Sequence, residues 1–156
     1  MFAIKNQHKQ VTPLIREFIS GDLDSIKEIE LLSFDDPWTA KDFARIVFPK
    51  KQCSTIVAEL CDTVVGYIIY EQRLRCIEIF NMAVAPHIRR RGIGRELVRS
   101  LQFTFGRTVP IHAITIDKNL EAQLFFRSMD FQAKKILHCF YADGRDAYKF
   151  IWRRSL

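Results

Sequence analysis

A strand, a basic loop containing two glycines and an amphipathic helix follow one another between residues 76 and 105. This succession constrains the fold more than any other part of the 156-residue chain. Residues 76–84 form an apolar-rich run that predicts a buried strand. Apolar residues at helical spacing predict a helix that opens near residue 93 and ends near residue 105. The loop between them carries four arginines and two glycines: Arg89, Arg90, Arg91, Gly92, Gly94 and Arg95.

The rest of the chain predicts a mixed α/β fold with a largely antiparallel sheet, in the order β-α-α-β-β-β-α-β-α-β-β. Turns are expected at residues 61–62 and 143–144. A second helix should start at the Thr39-x-x-Asp42 capping pattern and stop before Pro49. The length favours one domain over residues 1–156. Strands are expected at 14–19, 55–60, 64–70, 76–84, 109–116, 131–141 and 145–153, and the other helices at 23–33, 93–105 and 119–129.

Composition and charge indicate which classes of binding partner, cellular location and metal site to expect. Lys and Arg outnumber Asp and Glu by 24 to 18, and the net charge of +6 favours an anionic partner such as a phosphorylated cofactor. No apolar run is long enough for a membrane span. Residues 1–11 are polar and expected to be loose. No secretory signal peptide is predicted there, because the apolar run that one requires is missing. Four cysteines without a C-x-x-C pair favour reduced thiols and a cytoplasmic location. The four histidines have no ligand spacing, so no metal site is predicted.

The residues alone leave two interpretations of the basic loop open. The first turn of a helix has unsatisfied N–H groups that can hold a phosphate, and glycines let the phosphate approach the backbone. Arginines would add charge-assisted hydrogen bonds. The alternative is a solvated basic turn that caps an ordinary helix. The loop has neither the Walker A nor the G-x-G-x-x-G form, so a nucleoside triphosphate or dinucleotide is not predicted.

The motif Arg89-x-x-Gly92-x-Gly94, after a strand ending in Met-Ala-Val, resembles the acetyl-CoA motif of the Gcn5-related N-acetyltransferases (GNAT). The resemblance covers residues 14–152 and is greatest to the RimI-type ribosomal-protein alanine N-acetyltransferases. It implies their mixed, mostly antiparallel sheet flanked by helices. The other matching segments are residues 30–43 with Phe34, Pro37 and Trp38, residues 80–84, and Phe140 and Tyr141 before residues 143–147.

The resemblance also implies which residues hold acetyl-CoA. The strand end would pair with the pantetheine arm like an added strand, and loop N–H groups would hold the pyrophosphate. Asn119 matches the family asparagine that contacts the cofactor, although an asparagine there also caps a helix. The implied cofactor-binding residues are Met82, Ala83, Val84, Arg89, Arg90, Arg91, Gly92, Ile93, Gly94, Arg95 and Asn119.

The chain departs from the RimI-type pattern at three positions. Ile114 stands where those enzymes have an acid or a histidine as general base, and Phe126 stands where they have a tyrosine as general acid. Asp130 replaces the glycine that usually precedes the next phenylalanine. The acid–base pair that the family usually carries is therefore missing from its usual positions.

Glu78 is the candidate substitute for the general base. Its spacing to Gly92 matches the catalytic glutamate of the histone-acetyltransferase branch. Strand alternation predicts that residues 78, 80, 82 and 84 share one face. An exposed surface glutamate is the alternative, and His112 is a weaker candidate base.

The resemblance places a peptide acceptor between the loop of Phe34 and Trp38 and a hairpin containing Tyr141. Tyr141 is also a candidate catalytic residue; alternatively, it forms a cross-strand pair with Tyr148 or Phe150. The pKa of an α-amine is about 7.7–8.0 and that of lysine about 10.4. Near pH 7.5, roughly a third of α-amines but only about one lysine in a thousand are neutral. An enzyme with a weak general base therefore loses less of its rate when the acceptor is an α-amine than when it is a lysine.

The sequence therefore predicts an N-acetyltransferase that uses acetyl-CoA and acts on a protein N-terminal α-amine. A lysine or small-amine acceptor is the alternative within the same class. A catalytically degenerate module that binds acetyl-CoA or RNA is the alternative from another class, although no RNA-stacking motif is present. The sequence is compatible with a monomer or a homodimer.

Overall fold

The computed structural model describes residues 12–47 and 53–155, in which seven strands form one sheet in the order β1-β2-β3-β4-β5-β7-β6. Neighbouring strands are antiparallel except β4 and β5, which are parallel. The strands are β1 (Leu14–Glu17), β2 (Cys53–Leu60), β3 (Thr63–Arg73), β4 (Cys76–Val84), β5 (Ile111–Ile116), β6 (Gln132–Leu137) and β7 (Ala147–Trp152). The helices are α1 (Leu23–Ser33), α2 (Ala40–Val47), α3 (Ile93–Phe105) and α4 (Leu120–Ser128), with short 3₁₀ turns at Ser20–Asp22 and Pro86–Ile88.

This order of elements confirms the predicted mixed α/β fold. The turn between β2 and β3 is where the sequence places it, because Cys61 and Asp62 both have positive φ, as a tight two-residue hairpin turn requires. The capping pattern is also confirmed, since the Thr39 backbone N–H donates to the Asp42 carboxylate at 3.0 Å. The predicted loose segment 1–11 and the helix end before Pro49 lie outside the described residues. None of the described helices is both long and apolar enough to cross a membrane.

β4 and β5 pair over only three residues each and then separate. Ile77, Glu78 and Ile79 face residues 111–113, and no pairing continues beyond them. β4 remains paired with β3 as far as Val84. Within residues 12–47 and 53–155, the β5-facing edge of the second half of β4 therefore has no strand partner. An extended ligand can add to such an edge as a strand.

A β-bulge in β4 overturns one sequence prediction. Asn81 pairs with Ile69 and Ile79 pairs with Tyr70, so Phe80 is the extra residue without a partner. A bulge reverses the alternation of side chains on its two sides. Glu78 therefore lies on the same face as Asn81, and the prediction that residues 78, 80, 82 and 84 share one face is wrong.

A buried acidic side chain links three elements behind the α1–α2 loop. Glu30 of α1 is 1% exposed. Its carboxyl oxygens accept hydrogen bonds from the backbone N–H of Trp38 at 2.9 Å, the amide of Asn81 at 3.0 Å and the hydroxyl of Tyr67. This network joins the loop to β3 and β4. It thereby holds the Trp38 segment against the sheet.

Replacing Glu30 by alanine should destabilise the protein by about 2–4 kcal/mol, because one buried and two partly buried donors would lose their acceptor. Urea unfolding followed by circular dichroism measures this change. Glu28→Ala is the matched control, since Glu28 is an exposed glutamate of the same helix. The control should change stability by less than about 0.5 kcal/mol. Equal effects from the two variants would contradict the role of the network.

Candidate active site

A cavity of about 680 Å³ lies between the free edge of β4, the start of α3 and the α4 helix. It brings together ten of the eleven residues predicted to bind the cofactor. Arg91, an exposed residue, is the one that does not line it. The lining members of the predicted set are Met82, Ala83, Val84, Arg89, Arg90, Gly92, Ile93, Gly94, Arg95 and Asn119.

The loop before α3 has the backbone shape of an anion cradle. Arg90 and Gly92 both have positive φ, of 64° and 91°. Successive N–H groups in such a turn can point to a common centre. Gly92 is the N-cap of α3 and supplies no side-chain acceptor, which leaves the N–H groups of the first turn available to a ligand. Arg90 and Arg95 line the cavity, and neither forms an ion pair with another described residue.

Arg89 differs from the other arginines of the loop. Its Nε donates to the carbonyl of Val84 at 2.9 Å, and one of its terminal nitrogens donates to the hydroxyl of Ser33 at 2.9 Å. The side chain therefore fastens the end of β4 to the end of α1. Arg89 lines the cavity, but its guanidinium mainly forms hydrogen bonds within the protein.

Asn119 lies where it could both cap α4 and contact the cofactor, and the structure shows the capping role. Its Oδ1 accepts from the backbone N–H of Ala122 at 3.0 Å, which confirms the N-cap of α4. The residue also lines the cavity. Contact with the cofactor remains a proposal.

Asn119→Asp separates these two roles. Asp caps a helix as well as Asn does, so stability should change by less than about 0.5 kcal/mol. A carboxylate facing an anionic ligand should weaken acetyl-CoA binding about tenfold or more. Calorimetric titration measures the affinity and thermal unfolding the stability. An unchanged affinity would leave Asn119 with the capping role alone.

Glu78 is buried, which excludes the surface-glutamate alternative. It is 6% exposed, and its Oε1 lies 3.0 Å from a guanidinium nitrogen of Arg73. It pairs with His112 of β5, one residue before the two strands separate. Its side chain lies on the sheet face covered by α1, because Tyr67, on that face, reaches Glu30. Glu78 is not among the residues that line the cavity.

Folding places Glu78 in a cluster that sequence spacing could not show. The ligand atoms of Cys76, Glu78 and His112 all lie within 4.8 Å of one another. His112 Nδ1 is buried and has no hydrogen-bond partner among the described residues. Burial, aided by the positive charges of Lys149 and Arg153, lowers the pKa of His112, so its ring is neutral near pH 7.

The acceptor-side residues do not form one continuous surface with the cavity. Phe34 lines the cavity. Trp38 packs edge-on against Phe43 with 5.7 Å between ring centroids, and neither Trp38 nor Tyr141 is a lining residue. These two residues therefore remain proposed acceptor contacts outside the cavity lining.

Tyr141 lies in a turn beyond β6, because β6 ends at Leu137 and not at residue 141 as predicted. Cys139 has positive φ, and its N–H donates to the Asp146 carboxylate at 2.8 Å, which ends the strand. Tyr141 packs edge-on against Phe140 and under the guanidinium of Arg145. The alternative, a cross-strand pair with Tyr148 or Phe150, is not observed, because those two residues pair with Ile136 and Ala133 of β6. Burial raises the pKa of the Tyr141 phenol, which stays protonated at neutral pH.

The structure shows where the three departures from the RimI-type pattern lie. Phe126 is buried and packs against Phe131 and Phe150, with ring centroids 5.1 and 6.2 Å away, so it belongs to the core. Ile114 lies on β5, one residue beyond the segment that pairs with β4, and its side chain cannot carry a proton. Asp130 has a φ of 64°, a left-handed conformation that glycine favours and that Asp tolerates better than most residues.

Comparison with known proteins assigns the family. Residues 23–131 match the Acetyltransferase (GNAT) family. An uncharacterized N-acetyltransferase of Methanocaldococcus jannaschii is 30% identical over 144 residues, which cover 90% of this chain and 92% of that protein. The chain therefore belongs to the GNAT family of acetyltransferases. It is an N-acetyltransferase, as the sequence analysis predicts.

Solved structures share the fold. The crystal structure of the ribosomal-protein-S18-alanine N-acetyltransferase from Escherichia coli has a TM-score of 0.80 and 24% identity, over 93% of this chain and 96% of that one. Arabidopsis thaliana Naa50, crystallised with the bisubstrate analogue CoA-Ac-MVNAL, has a TM-score of 0.76 and 18% identity, over 94% of this chain and all of that one. These similarities confirm the predicted GNAT fold.

Proposed function

We propose that this enzyme transfers the acetyl group of acetyl-CoA to the α-amine of a protein or peptide N-terminus. The observation that carries the proposal is the free edge of β4 at residues 82–84, which leads directly into the N–H cradle before α3. Together they offer an extended groove that ends at an anion site. Those are the binding features that the pantetheine arm and the pyrophosphate of coenzyme A need.

The site residues divide the binding of acetyl-CoA between backbone and side chains. Backbone groups of Met82 and Val84 pair with the amides of the arm, and N–H groups of residues 90–95 hold the pyrophosphate. Arg90 and Arg95 supply positive charge, since neither is ion-paired with another residue in the described part of the chain. The bound acetyl-CoA supplies an acyl group already activated as a thioester.

The residues around the cleft orient the amine and accept its proton. Glu78 accepts a proton from the attacking amine, through a water molecule. A backbone N–H of residues 82–84 stabilises the negative charge that develops on the acetyl oxygen. Tyr141 is the proposed proton donor to the departing sulfur, because its phenol is protonated and its hairpin borders the acceptor side. Holding amine and thioester together supplies most of the rate.

An α-amine is the acceptor that suits this arrangement best. The usual acid and base positions hold Ile114 and Phe126, so proton removal is less well supported than in the RimI-type pattern. An α-amine needs less help because its pKa is about 7.7–8.0. Two proteins with the same fold support this choice: the ribosomal-protein-S18-alanine N-acetyltransferase, and Naa50 in complex with the bisubstrate analogue CoA-Ac-MVNAL. The cytoplasm remains our proposed location.

A transfer assay with two peptide pools tests the acceptor. One pool carries free α-amines, and the other is blocked at the N-terminus and carries free lysines. Mass spectrometry should find acetyl groups in the first pool only. Label in the lysine pool, or label only when small amines are offered, would overturn the proposed acceptor class.

A further inference from the structure

Three side chains with metal-binding chemistry meet where β4 and β5 are still paired. They are Cys76 and Glu78 of β4 and His112 of β5. Their ligand atoms all lie within 4.8 Å of one another, and Cys76 and Glu78 are 8% and 6% exposed. The proposed transfer reaction uses Glu78 and leaves the thiol and the imidazole without a function.

The donor set is the kind that Zn²⁺ prefers. A thiolate, an imidazole and a carboxylate are ordinary zinc ligands, whereas Mg²⁺ and Ca²⁺ take oxygen donors. His112 Nδ1 is buried and has no hydrogen-bond partner in the part of the chain that the structure describes, and a buried nitrogen without a partner is costly. The strand register places Glu78 directly opposite His112, so these two ligands are already adjacent.

Charged groups of both signs surround the cluster. Arg73 contacts Glu78 at 3.0 Å but also Glu71 at 2.9 Å, and its side chain is 48% exposed. Arg73 can therefore remain ion-paired with Glu71 when Glu78 coordinates a metal ion. Lys149, Arg153 and Arg73 are positively charged and act on His112, so they oppose a bound cation. A thiolate and a carboxylate together offset the two charges of the ion.

We propose that Cys76, Glu78 and His112 bind one Zn²⁺ per chain, with water in the fourth position. On binding, the Cys76 sulfur loses its proton to solvent and forms a bond to the metal. One consequence rests on the proposed function: Glu78 bound to Zn²⁺ cannot accept a proton from the amine, so Zn²⁺ inhibits acetyl transfer.

Titration of chelator-treated protein with Co²⁺ tests the site without any activity measurement. Co²⁺ should bind at one ion per chain with a thiolate-to-cobalt charge-transfer band, and Zn²⁺ should displace it. Cys76→Ser should abolish the band and weaken Zn²⁺ binding by more than the roughly 10–100-fold that loss of an outer-shell partner costs. His112→Asn is the second variant, and circular dichroism checks that both variants fold.

Two exposed cysteines provide matched controls. Cys61→Ser and Cys139→Ser should keep the band. Absence of the band in the parent protein, or its persistence in Cys76→Ser and His112→Asn, would overturn the site. Loss of the band in either control would assign the binding to a surface thiol and also overturn it.

Inhibition is measured separately, with each protein's rate at added Zn²⁺ divided by its own metal-free rate. The parent protein should lose activity and Cys76→Ser should resist the loss. Binding without inhibition would contradict the consequence for Glu78 while the site stands. Absence of acetyl transfer in all proteins would count against the proposed function and would leave the Co²⁺ result unaffected.

Discussion

Gly92→Glu should weaken acetyl-CoA binding by at least about 100-fold. The new carboxylate would stand at the N-cap of α3, in the cradle assigned to the pyrophosphate. Two like charges about 4 Å apart repel by about 4 kcal/mol at an effective dielectric constant of 20, and each 1.4 kcal/mol is a factor of ten in affinity. The φ of 91° at Gly92 adds strain for any residue with a Cβ. Isothermal titration calorimetry with acetyl-CoA measures the effect.

Gly144→Glu is the matched control for that variant. Gly144 also has a left-handed φ, of 84°, and a Cβ there would meet nothing within 4 Å. The control thus adds the same charge and similar backbone strain in the turn beyond β6, away from the cradle. Its affinity for acetyl-CoA should equal that of the parent protein. Parental affinity in Gly92→Glu would show that the loop before α3 does not hold the pyrophosphate.

Glu78→Gln should lower kcat by about 10²–10⁴-fold, the range that general-base catalysis contributes. The amide keeps the size of the side chain but cannot accept a proton. Because Glu78 lies outside the cavity lining, the affinity for acetyl-CoA should be unchanged. Steady-state transfer to an α-amine peptide measures kcat, with chelator present throughout. A parental kcat in this variant would assign proton acceptance to water or to another group.

Glu71→Gln controls for the loss of an ion pair. Glu71 lies opposite Glu78 across β3 and β4, and it contacts the same guanidinium, that of Arg73, at 2.9 Å. Its removal should change kcat only a few-fold, because no proton passes through it. An equal loss in the two variants would mean that the positioning of Arg73, and not proton transfer, governs the rate.

Local patterns in the sequence predict the elements that build the site. The apolar spacing after Gly94 predicts α3 with its observed bounds, and the run at residues 76–84 predicts β4. The glycines and arginines between them predict a basic turn. These features depend on neighbours within one turn or one strand, which is why the sequence reveals them.

Features that depend on the register between strands could not be predicted in the same way. The bulge at Phe80 exists because β3 and β4 must pair on both sides of it, and nothing at Phe80 itself signals an extra residue. The cluster of Cys76, Glu78 and His112 needs the parallel register between β4 and β5, which no local pattern contains. Spacing along the chain therefore gives no sign that His112 lies beside Cys76 and Glu78.

Glu30 was missed although the sequence carries a signal for it. It follows Ile26 by four residues, so an acidic residue lies on the apolar face of α1. An acidic side chain on such a face needs hydrogen-bond donors, and the structure provides three. The donors themselves, in particular Asn81 and Tyr67, become visible only when the strands are paired.

A single peptide that carries both a free α-amine and one internal lysine tests the central claim most directly. Both amines then compete for the same enzyme and the same acetyl-CoA at pH 7.5. Fragment-ion mass spectrometry locates the acetyl group on the product. Acetylation confined to the α-amine is the predicted result. Acetylation of the lysine side chain, or no transfer to either amine, would contradict the proposed function.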